Sequence, residues 1–399
     1  MPKNAVEEAS VGQGAEPVRA PTRLKRWYDA TLVALGKAVL LFLLLNLLLY
    51  IVIRVKRPPT GADPLSRYGA DQLQMAYPGW QREDVKTLLK ETYRPSEYEP
   101  FTGFRDRPFR GRFVNVDPAG FRFSKNQAPW PPRTGAFNVF VFGGSTTFGV
   151  GLPDDETIAS YLEECAPANH SRGPLAVYNF GRQAYFSSQE LILFQQLLKA
   201  GFVPQVAVFI DGINEFLFDT GRPRFTDKFR RVMDGVPDSS PLDNVPVVKA
   251  AQWLRDRGTK PQPRNATNNA DPAILEGVIN RWLANKRMIE VVAGGFGVRT
   301  IFVWQPVPTY KYDLRYHVFL SNSSRLPPDQ WMPRDHYGYA LMESMRAQGR
   351  LGPDVLWLAD MQQDKHENLY VDRVHYNARF SGEIAAQICG FLNRPPNGK

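Results

Sequence analysis

Between Thr31 and Ile53 the chain reads TLVALGKAVLLFLLLNLLLYIVI, with Lys37 and Asn46 its only strongly polar residues. As a helix rising about 1.5 Å per residue, this stretch can span the ~30 Å hydrocarbon core of a bilayer. The backbone of such a helix satisfies its own polar groups, which hydrocarbon demands. Lys37 lies near one end, where its aliphatic stem lets the ammonium reach the headgroups. A cleaved signal peptide needs a shorter apolar region and a small-residue cleavage site. Here the run passes directly into IVIRVKRPP, so residues 31–53 read as an uncleaved anchor in a lipid bilayer. Arg19, Arg23, Lys25, Arg26 and Lys37 lie on its N-terminal side, and Arg54, Lys56, Arg57 and Arg67 follow it. Cytoplasmic flanks favour positive charge, so the N-terminus is expected inside and the remainder outside.

The chain has 399 residues, 43% hydrophobic and 22% charged, a composition that folds rather than stays disordered. Its net charge of +9 suits nucleic acid, anionic glycan or lipid headgroups. No RNP-like stretch, zinc-finger spacing or aromatic-interleaved basic helix is present, which argues against nucleic acid. Two cysteines, Cys165 and Cys389, are too few for a disulfide scaffold or a cysteine metal site. Asp211 and Glu215 have no further ligand pattern around them, so neither metal nor cofactor is expected.

Composition divides the chain into a polar flexible tail (1–28), the anchor (29–53), a lead-in (54–134) and a catalytic domain (135–399). The lead-in is rich in Pro, Arg and aromatics, with a helical stretch near Arg82–Tyr93. From Phe137 onward, FNVFVF (137–142), LAVYNF (175–180), VAVFI (206–210), VRTIFVW (298–304) and VLWLA (355–359) read as buried strands. Helical patterns near 155–165, 187–200, 272–293 and 378–392 alternate with them. That alternation predicts an α/β fold, a parallel sheet with helices on both faces. Two segments, near 219–270 and 306–353, read as an insertion or lid and as an irregular stretch.

The candidate chemistry sits where strands end, because ligands bind at the carboxyl edge of a parallel sheet. The first strand runs into Gly143-Gly144-Ser145-Thr146-Thr147-Phe148-Gly149. Val150 after Gly149 excludes a P-loop, and Thr147 two residues after the serine excludes the α/β-hydrolase elbow. The second strand ends in Asn179-Phe180-Gly181 and the third in Asp211-Gly212-Ile213-Asn214-Glu215. A backbone N–H at Gly181 and the amide of Asn214 are donors of the kind an acyl-transfer oxyanion needs. Near the end, Asp372-Arg373-Val374-His375 places a carboxylate three residues before an imidazole, spacing that lets it orient the ring. His170, His317, His336 and His366 lack that setting and read as structural. Each motif taken singly is weak.

As a set, in this order, the motifs resemble the SGNH/GDSL hydrolase superfamily. GGSTTFG is similar to its serine block, with Gly144 where many members carry Asp. Asn179-Phe180-Gly181 is similar to the glycine block, and Gly212-Ile213-Asn214-Glu215 to the G-x-N-D block with Glu in last place. Asp372 and His375 match the final block. The resemblance covers about 135–399, and the VNVDPAGFRF lead-in is similar to that of membrane-anchored bacterial members. It implies a flavodoxin-like three-layer fold, Ser145 as nucleophile, His375 as general base and Asp372 as its partner. Gly181, Asn214 and the Ser145 N–H would hold the oxyanion. It also implies a bacterial inner-membrane protein with a periplasmic domain, acting on an O-acylated envelope glycan. An esterase, an acyltransferase fed by a membrane acyl-donor protein, and a non-catalytic glycan-binding protein on the same fold all remain open.

A flavodoxin-like strand order, 2-1-3-4-5, with right-handed crossovers puts the first and last helices on one face. Their C-terminal ends then meet, which would allow a disulfide between Cys165 and Cys389; two separate buried cysteines, each a small hydrophobe, remain the alternative.

Overall fold

The computed structural model describes residues 22–56, 68–165, 173–235, 245–258, 271–320 and 332–394. The chain divides into two compact units, Met1–Pro59 with Ser239–Lys260, and Thr60–Asp238 with Pro261–Lys399.

In the first unit, helix α1 (Arg23–Lys56) carries the apolar run and begins inside the segment expected to be a tail. Residues 1–21 of that tail lie outside the described residues. The helix is long and apolar enough to cross a membrane. Nearly all of its described Leu and Val side chains, and Phe42, are exposed rather than packed, an arrangement that water penalises and hydrocarbon does not. Asn46 is satisfied within the unit: its Nδ2 donates to the Phe42 carbonyl at 2.8 Å, and its Oδ1 accepts the Val247 N–H at 3.1 Å. Val247 belongs to the helix Pro246–Gly258 (α9 in chain order). That part of the expected insertion 219–270 therefore belongs to the apolar-helix unit.

The second unit begins before the strands expected to open it. Residues 68–134, read as a separate lead-in, are continuous with the same compact unit as the sheet. They form α2 (Ala70–Ala76), α3 (Arg82–Thr92), the hairpin of β1 (Ser96–Glu99) with β2 (Gly103–Asp106), and the short pair β3 (Phe109–Arg110) and β4 (Asn115–Val116). Leu73, Val85, Leu88 and Leu89 of the two helices pack with Phe148, Leu152 and Val371 of the sheet domain. Their burial makes the lead-in an extension of the core.

The main sheet holds five parallel strands: β5 (Phe137–Gly143), β6 (Leu175–Asn179), β7 (Val206–Asp211), β8 (Arg299–Trp304) and β9 (Val355–Trp357), in the order β6-β5-β7-β8-β9. This is the flavodoxin-like order. Successive side chains point to opposite faces, and here that alternation sorts residues by shape. Phe140, Phe142, Phe209, Phe302 and Trp304 share one face with α6 (Ser187–Lys199), α10 (Pro272–Gly295) and α11 (Pro333–Ala347). Phe209 stacks between Phe142 and Phe302, with ring centroids 4.8 and 5.4 Å away. Val139, Val141, Val208, Ile210, Ile301 and Val303 face α5 (Ile158–Glu163) and α12 (Ala378–Leu392) instead. Short helices α4 (Ser145–Phe148), α7 (Ile213–Leu217) and α8 (Thr226–Met233) follow the strand ends. Helix α11 lies within 306–353, which was expected to be irregular.

Because α5 and α12 share a face, Cys165 and Cys389 come together with Cα atoms 5.8 Å apart and form a disulfide. It closes a separation of 224 residues. Loop closure of that length restricts the unfolded chain, so Cys165→Ser is expected to lower stability by about 2–5 kcal/mol. The denaturant midpoint should fall, and added reductant should lower the parent protein's midpoint but not the variant's. A parent protein indifferent to reductant would contradict this.

Candidate active site

Ser145 occupies the first position of α4, directly after β5 and the two glycines. Gly143 leaves the strand at φ +155°, and a Cβ there would meet Thr147 Oγ1 at 2.1 Å. Gly144 has ordinary backbone angles, but a Cβ on it would lie 2.3 Å from Asn214 Nδ2. The glycine at position 144 thus makes room for the Asn214 amide. Behind α4, the buried Arg122 donates to the carbonyls of Phe148 and Gly149 and pairs with Asp154 at 3.0 Å. It caps the end of the short helix and fixes the loop that follows Ser145.

From the far end of the chain, the loop 371–377 meets this serine. Asn377 caps α12 by accepting the Phe380 N–H at 2.9 Å, and the Val371 N–H donates to the His375 carbonyl at 2.8 Å. The loop so held sets His375 Nε2 2.8 Å from Ser145 Oγ and His375 Nδ1 2.6 Å from Asp372 Oδ2. The other carboxyl oxygen accepts the N–H groups of Val374 and His375 at 2.9 and 2.8 Å. Burial alone would raise the Asp372 carboxyl; the His375 ring and these donors outweigh it and hold the group well below the usual carboxylate range.

The lead-in supplies a contact that no local pattern announced. Tyr93, at the end of α3, donates its hydroxyl to Asp372 Oδ2 at 3.0 Å, and Tyr68 approaches the same oxygen at 3.5 Å. Burial and then the Asp372 charge push the Tyr93 phenol far above its ordinary value, so it stays a donor. Both residues line the cavity in front of Ser145.

That cavity, of about 600 Å³, is lined by Ser145, Asn214, His375 and residues from 93–96, 183–184, 217–225 and 372–374. Asn214 is buried and donates one amide hydrogen to the Tyr185 carbonyl at 2.6 Å, which leaves the second free. Gly181, expected to be a second donor, does not line the cavity. Its N–H is taken by the side chain of Asn179 at 3.0 Å, and Cβ space there is filled by Phe148 N and Thr147 C. From this loop Gln183 and Ala184 line the cavity, Ala184 held at φ +61°. Among the described residues its N–H has no acceptor. The lead-in holds this loop in place: Gln183 Nε2 donates to the Thr92 carbonyl and to Asp106 Oδ1, both at 3.2 Å, and Arg182 pairs with Glu99. Glu215, the departure from the G-x-N-D pattern, is fully buried, accepts the Ser187 N–H at 2.7 Å and pairs with Arg281 at 3.2 Å. It ties α7 to the start of α6.

The other histidines stand apart from this group. His317 is buried, stacks on Tyr370 at 4.8 Å and is pushed down to about 4 by burial. His336 bonds the Thr309 carbonyl, His366 packs on Tyr316, and His170 lies outside the described residues. No cluster of metal-ligating side chains occurs among the described residues.

No protein-family model matches the chain, and no curated protein matches its sequence. Among solved structures the chain is similar to a lipolytic protein of the G-D-S-L family from Desulfitobacterium hafniense. The identity is 11% and the TM-score 0.33, over 64% of this chain and 98% of that one. It is also similar to an acetylxylan esterase from Geobacillus stearothermophilus, at 12% identity and TM-score 0.34, over 65% and 94% of the two chains. A G-D-S-L lipolytic protein from Veillonella parvula gives 10% and 0.33, over 65% and 99%.

A hydroxyl, an imidazole and a carboxylate in series can deliver a serine alkoxide to an acyl carbon. If the free amide hydrogen of Asn214 meets the oxyanion, Asn214→Ala should cost roughly 10²–10³ in kcat. KM should change much less, because that contact strengthens only in the transition state. Steady-state kinetics on an acetyl ester checks this; a loss confined to KM would make Asn214 a ground-state binder.

Proposed function

We propose that this chain is a membrane-anchored serine hydrolase of acyl esters, acting on an O-acetylated glycan of the cell envelope. The series Ser145–His375–Asp372, at 2.8 and 2.6 Å and open to a cavity, is the observation that supports it most. In this reading His375 takes the Ser145 proton as Oγ attacks the acyl carbon. The N–H groups of Ser145 and Ala184 and the Asn214 amide hold the resulting oxyanion. Collapse breaks the bond from the acyl carbon to the sugar oxygen, which takes the proton from His375 and leaves as the hydroxyl, and the acyl group stays on Ser145. Water then attacks with His375 again as base, and the carboxylic acid departs. Asp372 keeps the imidazole in the tautomer that both steps require. The glycan and its acetyl group come from the resemblance of the motif set to anchored bacterial SGNH proteins. Exposed apolar side chains along α1 support the anchor. The Cys165–Cys389 bridge supports a domain in an oxidising compartment, outside the cytoplasm.

Product analysis tests the reading. Purified full chain, incubated with an O-acetylated glycan, should release acetate at a rate independent of any added sugar acceptor. Acetate that passes instead to an unacetylated acceptor would make the protein a transferase through the same acyl-enzyme. Binding of glycan with neither product would leave a non-catalytic role.

A further inference from the structure

Charge in the cavity is distributed unevenly. Among the described residues its cationic side chains are Arg94, Arg224 and Arg373, and its only carboxylate is Asp372. That carboxylate is already committed to His375, Tyr93 and two backbone N–H groups. None of the three arginines forms an ion pair among the described residues, whereas the nearby Arg222 and Arg230 both reach Asp227. Arg94 is held in place without being neutralised. Its Nε donates to the Glu91 carbonyl at 2.8 Å, its Nη1 to the Arg107 carbonyl at 3.2 Å, and its guanidinium lies 3.8 Å over the Phe109 ring. The carboxylates of Glu91 and Asp106 are engaged elsewhere, Glu91 by the N–H groups of Arg112, Phe113 and Val114, and Asp106 by Gln183. Arg224 rests beside Phe225, and Arg373 projects from the loop between Asp372 and His375.

Guanidinium groups present planar donor forks that match carboxylate and phosphate oxygens. Three of them around one concave site, with a single internally satisfied carboxylate, raise the local concentration of anions. We propose that the site selects esters whose acyl-bearing alcohol also carries an anionic group, with Arg94 as the fixed contact and Arg224 and Arg373 closing on it from the rim. This rests on the ester-hydrolase reading and narrows its substrate to acidic glycans.

Two measurements test the two readings separately. The full chain in detergent is assayed on 4-acetoxybenzoate, 4-acetoxyphenyl phosphate and the neutral 4-acetoxybenzamide. At low salt, kcat/KM should favour an anionic ester over the amide by about tenfold or more, and the preference should shrink as salt screens it. Whichever anion gains more distinguishes a carboxylate from a phosphate. The exposed pair Arg224→Gln/Arg373→Gln, and separately Arg94→Gln, should bring that ratio toward unity. Equal rates on all three esters, or a preference untouched by all three substitutions, would overturn the anion site while leaving the hydrolase reading intact. Binding of trigalacturonate against galactotriose by calorimetry reads the same site without turnover. Tighter binding of the uronide, lost in the arginine variants, supports the proposal even if no ester is cleaved; equal binding overturns it.

Discussion

Ser145→Ala is expected to abolish turnover of a small acetyl ester, by on the order of 10⁴-fold or more, with no loss of fold. The hydroxyl is the one group 2.8 Å from His375 Nε2, and no other nucleophile stands between the imidazole and the cavity among its described hydrogen bonds. Structurally the change is mild. Position 145 begins a helix, alanine favours helical backbone, and the Cβ already exists in serine. Initial rates read the loss, and a thermal melt within a few degrees of the parent shows that it is chemical. Undiminished activity would remove Ser145 from the mechanism.

Asp372→Asn should be nearly as severe, at roughly 10³–10⁴ in kcat. Asp372 accepts from five donors: the His375 ring, the Tyr93 and Tyr68 hydroxyls, and the N–H groups of Val374 and His375. An asparagine has one acceptor oxygen and an NH2 that only donates. With its NH2 toward the Val374 and His375 N–H groups, donor would meet donor, so the amide is expected to keep its oxygen there. If the oxygen keeps the two backbone N–H groups, the NH2 faces Nδ1 and stabilises the wrong imidazole tautomer. Substrate binding should change little, so kcat and kcat/KM should fall together. A loss below tenfold would mean that Tyr93 and the loop backbone orient His375 without the carboxylate.

Local signals decided what could be read in advance. Each buried strand is a short apolar run between turn residues, and Asp372-x-x-His375 lies on one loop, so both are visible within a few residues. Strand order and crossover hand brought the ends of the first and last helices together and so made a Cys165–Cys389 bridge possible, but not whether the two thiols pair, which the structure shows. Gly181 shows the opposite case. A glycine after a strand suggests an open N–H, but Asn179 two residues earlier closes an Asx-type turn onto it. That asparagine was the signal to heed. Ala184 carries the positive φ usually given to glycine, and its neighbours in the lead-in hold it there. Tyr93 and Asp372 are separated by 279 residues, and no sequence spacing encodes such a meeting. Helix α11 was hidden by its Pro, Tyr and Arg content. Yet Pro333 sits in its first turn, where proline is tolerated, and Tyr339, Met342 and Met345 recur on its buried side.

In the proposed reaction one serine, activated by one histidine, forms a covalent intermediate. Treatment of the full chain with an alkyl fluorophosphonate, followed by peptide mass mapping, addresses it directly. Stoichiometric label is expected on Ser145, lost when His375 is replaced by alanine. Label on another serine, or an unlabelled Ser145 while ester turnover continues, would contradict it.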